Sequence, residues 1–274
     1  MALLTRTLLP RNPGYFDILH LTDPHIYAAP EADLLGVKTR DSLEAVLDKV
    51  QSRGHDRPDL VLVSGDIAQD LSAEAYDYFC ERMSVFEVPV FWIPGNHDDF
   101  PLMRSRDQVI SSDKCVKVGD WQIILLNSQV PGKVHGQLDD DELHYLETSL
   151  KGAKQSPTLL VTHHQPVPVG SAWLDQIGLR NAARVQEILA DHPQVKAMLC
   201  GHVHQELDQT LHGRRYLATP STCVQFRRHS EEFAASSECP GYRTLRCHAD
   251  GRIETDVHRA VAFPVRVDLT MNGY

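Results

Sequence analysis

Val88-Pro89-Val90-Phe91-Trp92-Ile93-Pro94-Gly95-Asn96-His97-Asp98 carries the decisive reading of this chain: an apolar, strand-like run stops at Pro-Gly and delivers Asn, His and Asp side by side. The same arrangement recurs. Residues 16–22 run into Asp23-Pro24-His25, 59–64 into Gly65-Asp66, 158–162 into His163-His164, and 195–200 into Gly201-His202-Val203-His204. The near-continuous Val, Leu and Ile content of these runs, and of 121–127, marks strands buried on both faces. In open α/β sheets ligands bind beyond the carboxyl ends of the strands, so all five clusters fall where a site is expected. One cluster would mean little. Five together describe a two-metal site and make a hydrolase the leading candidate.

Helical patterns fill the gaps between runs. Asp41 with Glu44 reads as a capping box, and Leu43, Val46, Leu47 and Val50 follow an i, i+3, i+4, i+7 stripe that Gly54 would end. A second helix is expected from Ser72 to about Val85. A third should follow Asp139 or Asp140 with Leu143, Leu146 and Leu150 on one face, and a fourth Asn181 with Val185, Ile188 and Leu189 inward. Further on, 214–219, 242–248 and 252–258 read as shorter strands with turn signals at His212-Gly213 and Asp250-Gly251. The region of about 212–260 is therefore expected to complete a second, mostly antiparallel sheet packed on the first. The expected fold is α/β: a four-layer α-β-β-α sandwich of two mixed sheets flanked by helices, with 1–274 as one domain.

With 27 Lys and Arg against 37 Asp and Glu, the net charge is −10. That argues against a nucleic-acid polymer or an anionic membrane as partner. An anionic substrate remains compatible, because bound cations reverse the sign locally. The cysteines form no CxxC pair and read as reduced thiols. No run nears the ~20 apolar residues of a membrane span, and Arg6, Pro10 and Arg11 interrupt any signal-like stretch. The expectation is a cytoplasmic protein; its oligomeric state is left open.

The donors are imidazole, carboxylate and one amide, without thiolate, which suits Fe, Mn or Zn in a reactive site better than structural zinc or a calcium cage. Gly65, Gly95 and Gly201 are read as tight-turn residues that let neighbouring backbones approach the metals. Outside the clusters, His20 alternates within a strand and reads as packed, and His135 reads as a loop residue near the substrate side. His55 and His192 read as surface residues. The acidic run from Asp139 to Glu142 fits a helix start, where negative charge is favourable.

Taken in order, D-x-H, G-D, G-N-H-D, H and G-H-x-H resemble the calcineurin-like metallophosphoesterase superfamily over roughly residues 17–220. The resemblance implies one metal held by Asp23, His25, Asp66 and His204, and a second by Asp66, Asn96, His163 and His202, with Asp66 bridging. Asn96, His97 and His204 would meet the substrate, and His97 would be the acid that is not a ligand. Where the superfamily commonly shows His-x-Pro-Pro, this chain has His163-His164-Gln165-Pro166. The match favours His163 as ligand and leaves His164 lining the pocket. The implied chemistry is two-metal hydrolysis: ions ~3.5–4 Å apart lower the pKa of a shared water and clamp the phosphoryl oxygens, while His97 assists the leaving oxygen. Asp98 either orients His97 or caps a helix.

Leu35-Gly36-Val37, Trp173-Leu174-Asp175-Gln176, Leu179-Arg180-Asn181-Ala182, Gln205-Glu206-Leu207 and residues 218–226 further resemble the bacterial class III 3′,5′-cyclic nucleotide phosphodiesterases. That resemblance implies hydrolysis of cyclic AMP to 5′-AMP with two divalent or trivalent ions, Fe and/or Mn. Spacing and composition by themselves reach only a phosphoester hydrolase. A broader phosphodiesterase, a nucleotide- or lipid-linked diphosphate hydrolase, and a non-catalytic scaffold are the alternatives. The lipid reading wants an exposed amphipathic helix, which the sequence lacks, and a scaffold would be expected to have lost ligands that are all present here. No Lys or Arg stands inside the five motifs, so phosphate charge should fall to the metals, Asn96, His97 and His204. Base and ribose are expected at His135, 173–181 and 221–226, with Arg180 and Cys223 singled out.

Overall fold

The computed structural model describes residues 5–52 and 57–273. Two sheets lie face to face. One runs in the order Ile253–Arg259, Gly241–His248, Tyr15–Leu21, Leu60–Val63, Val90–Trp92. The other runs Thr5–Leu8, Cys115–Val118, Trp121–Leu125, Thr158–Val161, Val195–Cys200, Arg214–Ala218, Leu207–Leu211. Both are mixed: Tyr15–Leu21, Leu60–Val63 and Val90–Trp92 are parallel, as are Trp121–Leu125 through Arg214–Ala218 and the pair Thr5–Leu8 with Cys115–Val118, while Gly241–His248 with its two neighbours, Cys115–Val118 with Trp121–Leu125, and Leu207–Leu211 with Arg214–Ala218 are antiparallel.

Strand alternation divides the apolar side chains between two faces. Phe16, Ile18, Leu60, Leu62, Phe91 and Ile93 meet Ile123, Leu125, Leu159, Val161 and Leu199 between the sheets. Leu19, Leu21, Val61, Val63 and Trp92 pack outward beneath the helices Thr39–Ser52 and Ala73–Met83. On the other side, Ile124, Leu160 and Met198 pack beneath Asp140–Gly152 and Ala182–Ala190. Hence the expected four layers, and hence the unbroken apolar runs: every central strand is covered twice.

The partition of strands differs from the sequence expectation. The C-terminal strands do not build a sheet of their own. Gly241–His248 pairs along Tyr15–Leu21 and carries Ile253–Arg259 with it, whereas Arg214–Ala218 extends the other sheet beside Val195–Cys200. Proximity in sequence misleads here because the chain crosses between layers after Ala218. The strands Thr5–Leu8, Cys115–Val118 and Leu207–Leu211 went unread, two of them because their faces are largely exposed and lack an apolar signature.

Two caps follow expectation: Ser72 accepts the Ala75 N–H and Asp139 the Glu142 N–H. The first helix instead begins at Thr39, ahead of Asp41. Glu44 serves no capping box; it bonds the Tyr78 hydroxyl at 2.6 Å and pairs with Arg82. Gly54 and His55 lie outside the described residues. His192 is buried, not at the surface. Among the described residues no helix is long and apolar enough to cross a membrane.

Candidate metal centre

Three of the five motifs leave their strands through strained loops. Asp23 (φ 53°), His25 (48°), Asp66 (53°), His202 (66°) and His204 (47°) all adopt left-handed backbone, and they make up half of the ten described non-glycine residues that do so. Such conformations cost roughly 1–3 kcal/mol each and persist where surrounding contacts over-determine them. The contacts are visible: the Asp23 N–H donates to the Gly65 carbonyl at 3.0 Å and the His25 N–H to the Asp66 carbonyl at 3.0 Å.

The glycines act by close approach more than by turning. Only Gly65 of the three has positive φ, at 97°. A Cβ there would lie 2.5 Å from the Gly95 nitrogen and 2.7 Å from His163 Nδ1. A Cβ on Gly95 would overlap Asp66, and one on Gly201 would overlap Thr22.

The carboxylates and imidazoles converge. His204 Nε2 lies 3.4 Å from Asp23 Oδ1 and 3.1 Å from His25 Nε2. His25 Nε2 lies 3.8 Å and His163 Nε2 3.3 Å from Asp66 Oδ2, and His163 Nε2 is 3.1 Å from Asn96 Oδ1. The outward nitrogens are held by the protein: His25 Nδ1–H donates to Gln69 Oε1 (2.5 Å), His204 Nδ1–H to the Val224 carbonyl (2.7 Å), and His163 Nδ1–H to the Ser64 carbonyl (2.6 Å). These bonds hold each ring with Nε2 turned inward, ready to offer a lone pair once it carries no proton. Two lone pairs then face each other across 3.1 Å between His25 and His204, beside two buried carboxylates. A cation between them relieves that repulsion. His202 adds a buried Nε2 with no hydrogen-bond partner. Asp23, His25 and His204, and likewise Asp23, Asp66 and His163, bring their donor atoms within 4.8 Å of one another, so the donor set fits two ions.

His164 also lies near His163 and His202. Its ring nitrogens are engaged elsewhere, Nδ1 by Ser128 Oγ at 2.8 Å and Nε2 by the Val134 carbonyl at 3.0 Å. It supports the loop around Val134. Asp98 has a task different from both sequence expectations. Its Oδ1 accepts the N–H groups of Ile67 and Ala68 and the Tyr76 hydroxyl, and its Oδ2 accepts the Gly95 N–H. It ties the Gly65-Asp66 loop to the Gly95-Asn96 loop, while Asp99 caps the helix Phe100–Arg104.

Electrostatics without bound cations are lopsided. Burial alone would raise the Asp66 carboxyl, but the imidazoles of His163, His97 and His25 hold it well below the usual range. Burial opposes charge on His163 too, yet Asp66 raises it to about 9. Burial pushes His25 down to about 3 and His202 well below its ordinary value. Burial and the neighbouring Asp66 charge raise Asp98 to about 7.

Asn96, His97 and His202 form the floor of a cleft of about 280 Å³. Its walls are Val134, Trp173, Leu174, Ile177, Phe226 and Phe233, with Lys133 beside them. Trp173, Phe226 and Phe233 meet edge to face at 5.1–5.4 Å, and Phe226 stacks on His204 at 4.2 Å. A larger hollow of about 500 Å³ around Asp17, Arg246 and Asp256 contains none of the donors. Trp173 and Phe226 lie in the segments expected to hold base and ribose. His135, Arg180 and Cys223 do not line the cleft; Arg180 is exposed and Cys223 packs with Leu34 and Val37. Lys133 and Phe233 were missed, since neither belongs to a motif or a periodic stripe.

Residues 16–206 match the family model of the calcineurin-like phosphoesterases. The chain is 47% identical over 260 residues to the 3′,5′-cyclic adenosine monophosphate phosphodiesterase CpdA of Escherichia coli K12, covering 94% of each chain. Identity to the protein of that name from Pseudomonas aeruginosa is 41% over 258 residues, again covering 94% of each. Among solved structures, a dimetal phosphatase from Danio rerio is similar with a TM-score of 0.66 at 16% identity, over 90% of this chain and 99% of that one, a likeness of fold. The chain belongs to the calcineurin-like phosphoesterase family, and its Asp and His clusters fit that family's dinuclear metal centre.

Proposed function

We propose that this protein hydrolyses 3′,5′-cyclic AMP to 5′-AMP. The observation that carries the reading is the convergence of inward-facing imidazole lone pairs and buried carboxylates next to a small aromatic-walled cleft. Two relatives named for this activity align over nearly the whole chain.

In this reading Asp23, His25, Asp66 and His204 hold one ion and Asp66, Asn96, His163 and His202 the other, with Fe and/or Mn suited to the donors. The ions, when bound, supply Lewis acidity toward water and the phosphoryl oxygens. The chain's own residues do the rest. Asn96 and His204 orient the phosphate, and the aromatic wall takes the base. Hydrolysis breaks the P–O3′ bond, and His97 on the cleft floor delivers the proton that O3′ needs as it leaves. The whole chain serves as one catalytic domain. Its net charge of −10 fits a small substrate better than a polyanion, and its unpaired cysteines fit the cytoplasm.

The test is turnover of a panel of cyclic nucleotides by metal-stripped protein reloaded with Mn or Fe. The expected product from cyclic AMP is 5′-AMP. Cleavage of aryl diesters with cyclic AMP left intact would sink the cyclic-nucleotide reading and leave a general phosphodiesterase.

A further inference from the structure

Behind Asp23 lies a row of polar side chains that the proposed reaction does not use. His20 Nδ1 is 2.6 Å from Thr219 Oγ1, and His20 Nε2 is 2.9 Å from Ser64 Oγ. Ser64 Oγ is 2.7 Å from Thr22 Oγ1, which is 2.6 Å from Asp23 Oδ2. Every member is fully buried. Buried polar groups at such distances are tied into a network or are costly.

The direction of every bond follows from the last one. An ionised carboxylate only accepts, so Thr22 donates its hydroxyl to Asp23. Thr22 Oγ1 must then accept from Ser64, whose own proton is thereby spent. Ser64 Oγ can only accept from His20, so His20 carries its proton on Nε2. Its Nδ1 is left as acceptor for the Thr219 hydroxyl. Burial and the nearby Arg243 keep His20 neutral, which this tautomer requires. A Cβ on Gly201 would overlap Thr22 and approach Asp23 Oδ2 to 2.6 Å and Ser64 Oγ to 3.0 Å, so the glycine leaves room for the row.

We infer that Thr219, His20, Ser64 and Thr22 form a one-way hydrogen-bonded relay that positions Asp23 for its metal. The relay hydroxyl occupies Oδ2, the His202 N–H is shared between Oδ2 at 3.1 Å and Oδ1 at 3.2 Å, and Oδ1, which the relay does not touch, faces His204 at 3.4 Å. Asp23 is thus set to offer one oxygen. The same Ser64 holds His163 through its carbonyl, so one residue braces a donor on each side of Asp66. The inference rests on the reading of Asp23 as a metal ligand, and the four residues are positioning residues, not catalytic ones.

The experiment measures Mn²⁺ binding by chelator competition in the wild-type protein, Thr22→Val, Thr22→Ser and His20→Leu, with the His20 tautomer read from ¹⁵N shifts of the metal-free wild type. Thr22→Val should weaken one of two sites ~10–100-fold, the usual cost of losing an outer-shell partner, and leave the other within threefold. Thr22→Ser should restore it, His20→Leu should weaken the same site less, and His20 should be protonated on Nε2. Wild-type affinity at both sites in Thr22→Val overturns the relay, as does an equal loss at both sites with lowered thermal stability, the mark of a packing role. A proton on Nδ1 overturns it without any variant, even if Thr22→Val fails to fold. Wild-type protein that takes up no Mn²⁺ removes the metal reading itself, and the relay with it.

Discussion

The floor and the wall of the cleft are built on opposite principles. The floor is rigid and locally costly: left-handed loops directly follow strands, glycines are packed against neighbouring donors, and the outward nitrogens of His25, His163 and His204 are held by protein oxygens. The wall is assembled from apolar side chains on separate segments of the chain, around Val134, Trp173, Phe226 and Phe233, the last three in ring contact with one another. Geometry at the floor must be exact to a fraction of an ångström for chemistry, whereas stacking tolerates adjustment. Substitutions in the floor should therefore change turnover and metal content, and those in the wall should change substrate affinity.

The largest expected effect is at Asp66, placed between both donor groups. Asp66→Ala should release both ions and lower activity by more than the ~10²–10⁴ that a lost general acid costs. Metal analysis of the purified variant is the check; two retained ions and full activity would break the contrast at its strongest point. His97→Ala comes next, with a ~10²–10⁴ loss of turnover and at least one ion kept. The loss should shrink for a nitrophenyl ester, whose leaving group needs little protonation. Equal losses on both substrates would make His97 a binding group.

The contrast also explains what was legible in the sequence. The metal donors follow strands directly, so apolar runs with a polar cluster behind them announced both the sheet and its reactive edge. His163 was preferred to His164 on pattern, and the hydrogen bonds of His164 to Ser128 and Val134 favour the same reading. The wall had no such signal. Phe233 stands in a polar loop, and its neighbours in space, Trp173 and Phe226, are distant in sequence, so only folding brings them together. Arg180 and Cys223 were singled out by likeness of segment, and their side chains go elsewhere. The sheet partition failed for a related reason: local patterning identifies strands but does not say which edge a returning strand will find.

A pH titration sharpens the floor. His163 is raised to about 9 by Asp66 despite burial. In the metal-free protein its pairing contributes stability that is complete below the unperturbed value of 6.5 and is lost as pH rises through about 9. A metal ligand must shed that proton, so ion affinity should rise up to about tenfold per pH unit from 7 to 9 and level off above. His163→Ala should lose occupancy and flatten the profile, while His164→Ala should keep both ions and chiefly raise KM through the Val134 loop. Occupancy that falls only in His164→Ala would exchange their roles.

The smallest effect belongs to the wall. Phe226 is a poor probe because it stacks on His204 and couples wall to floor. Phe233 meets the rings of Trp173 and Phe226, so Phe233→Ala removes wall surface while both of those side chains stay in place. One stacking side chain is worth about 1–3 kcal/mol per base. With Trp173 and Phe226 still in place the low end applies, roughly a fivefold rise in KM for cyclic AMP at unchanged kcat. A methyl nitrophenyl phosphate, which lacks a purine, should be cleaved by the variant as by the wild type. Arg180→Ala, off the cleft, should change neither. Parallel KM and kcat values on the two substrates decide the matter: a fall in kcat for both would mean that the wall sets the metal floor, and that the division between a rigid reactive base and an adaptable binding face does not hold.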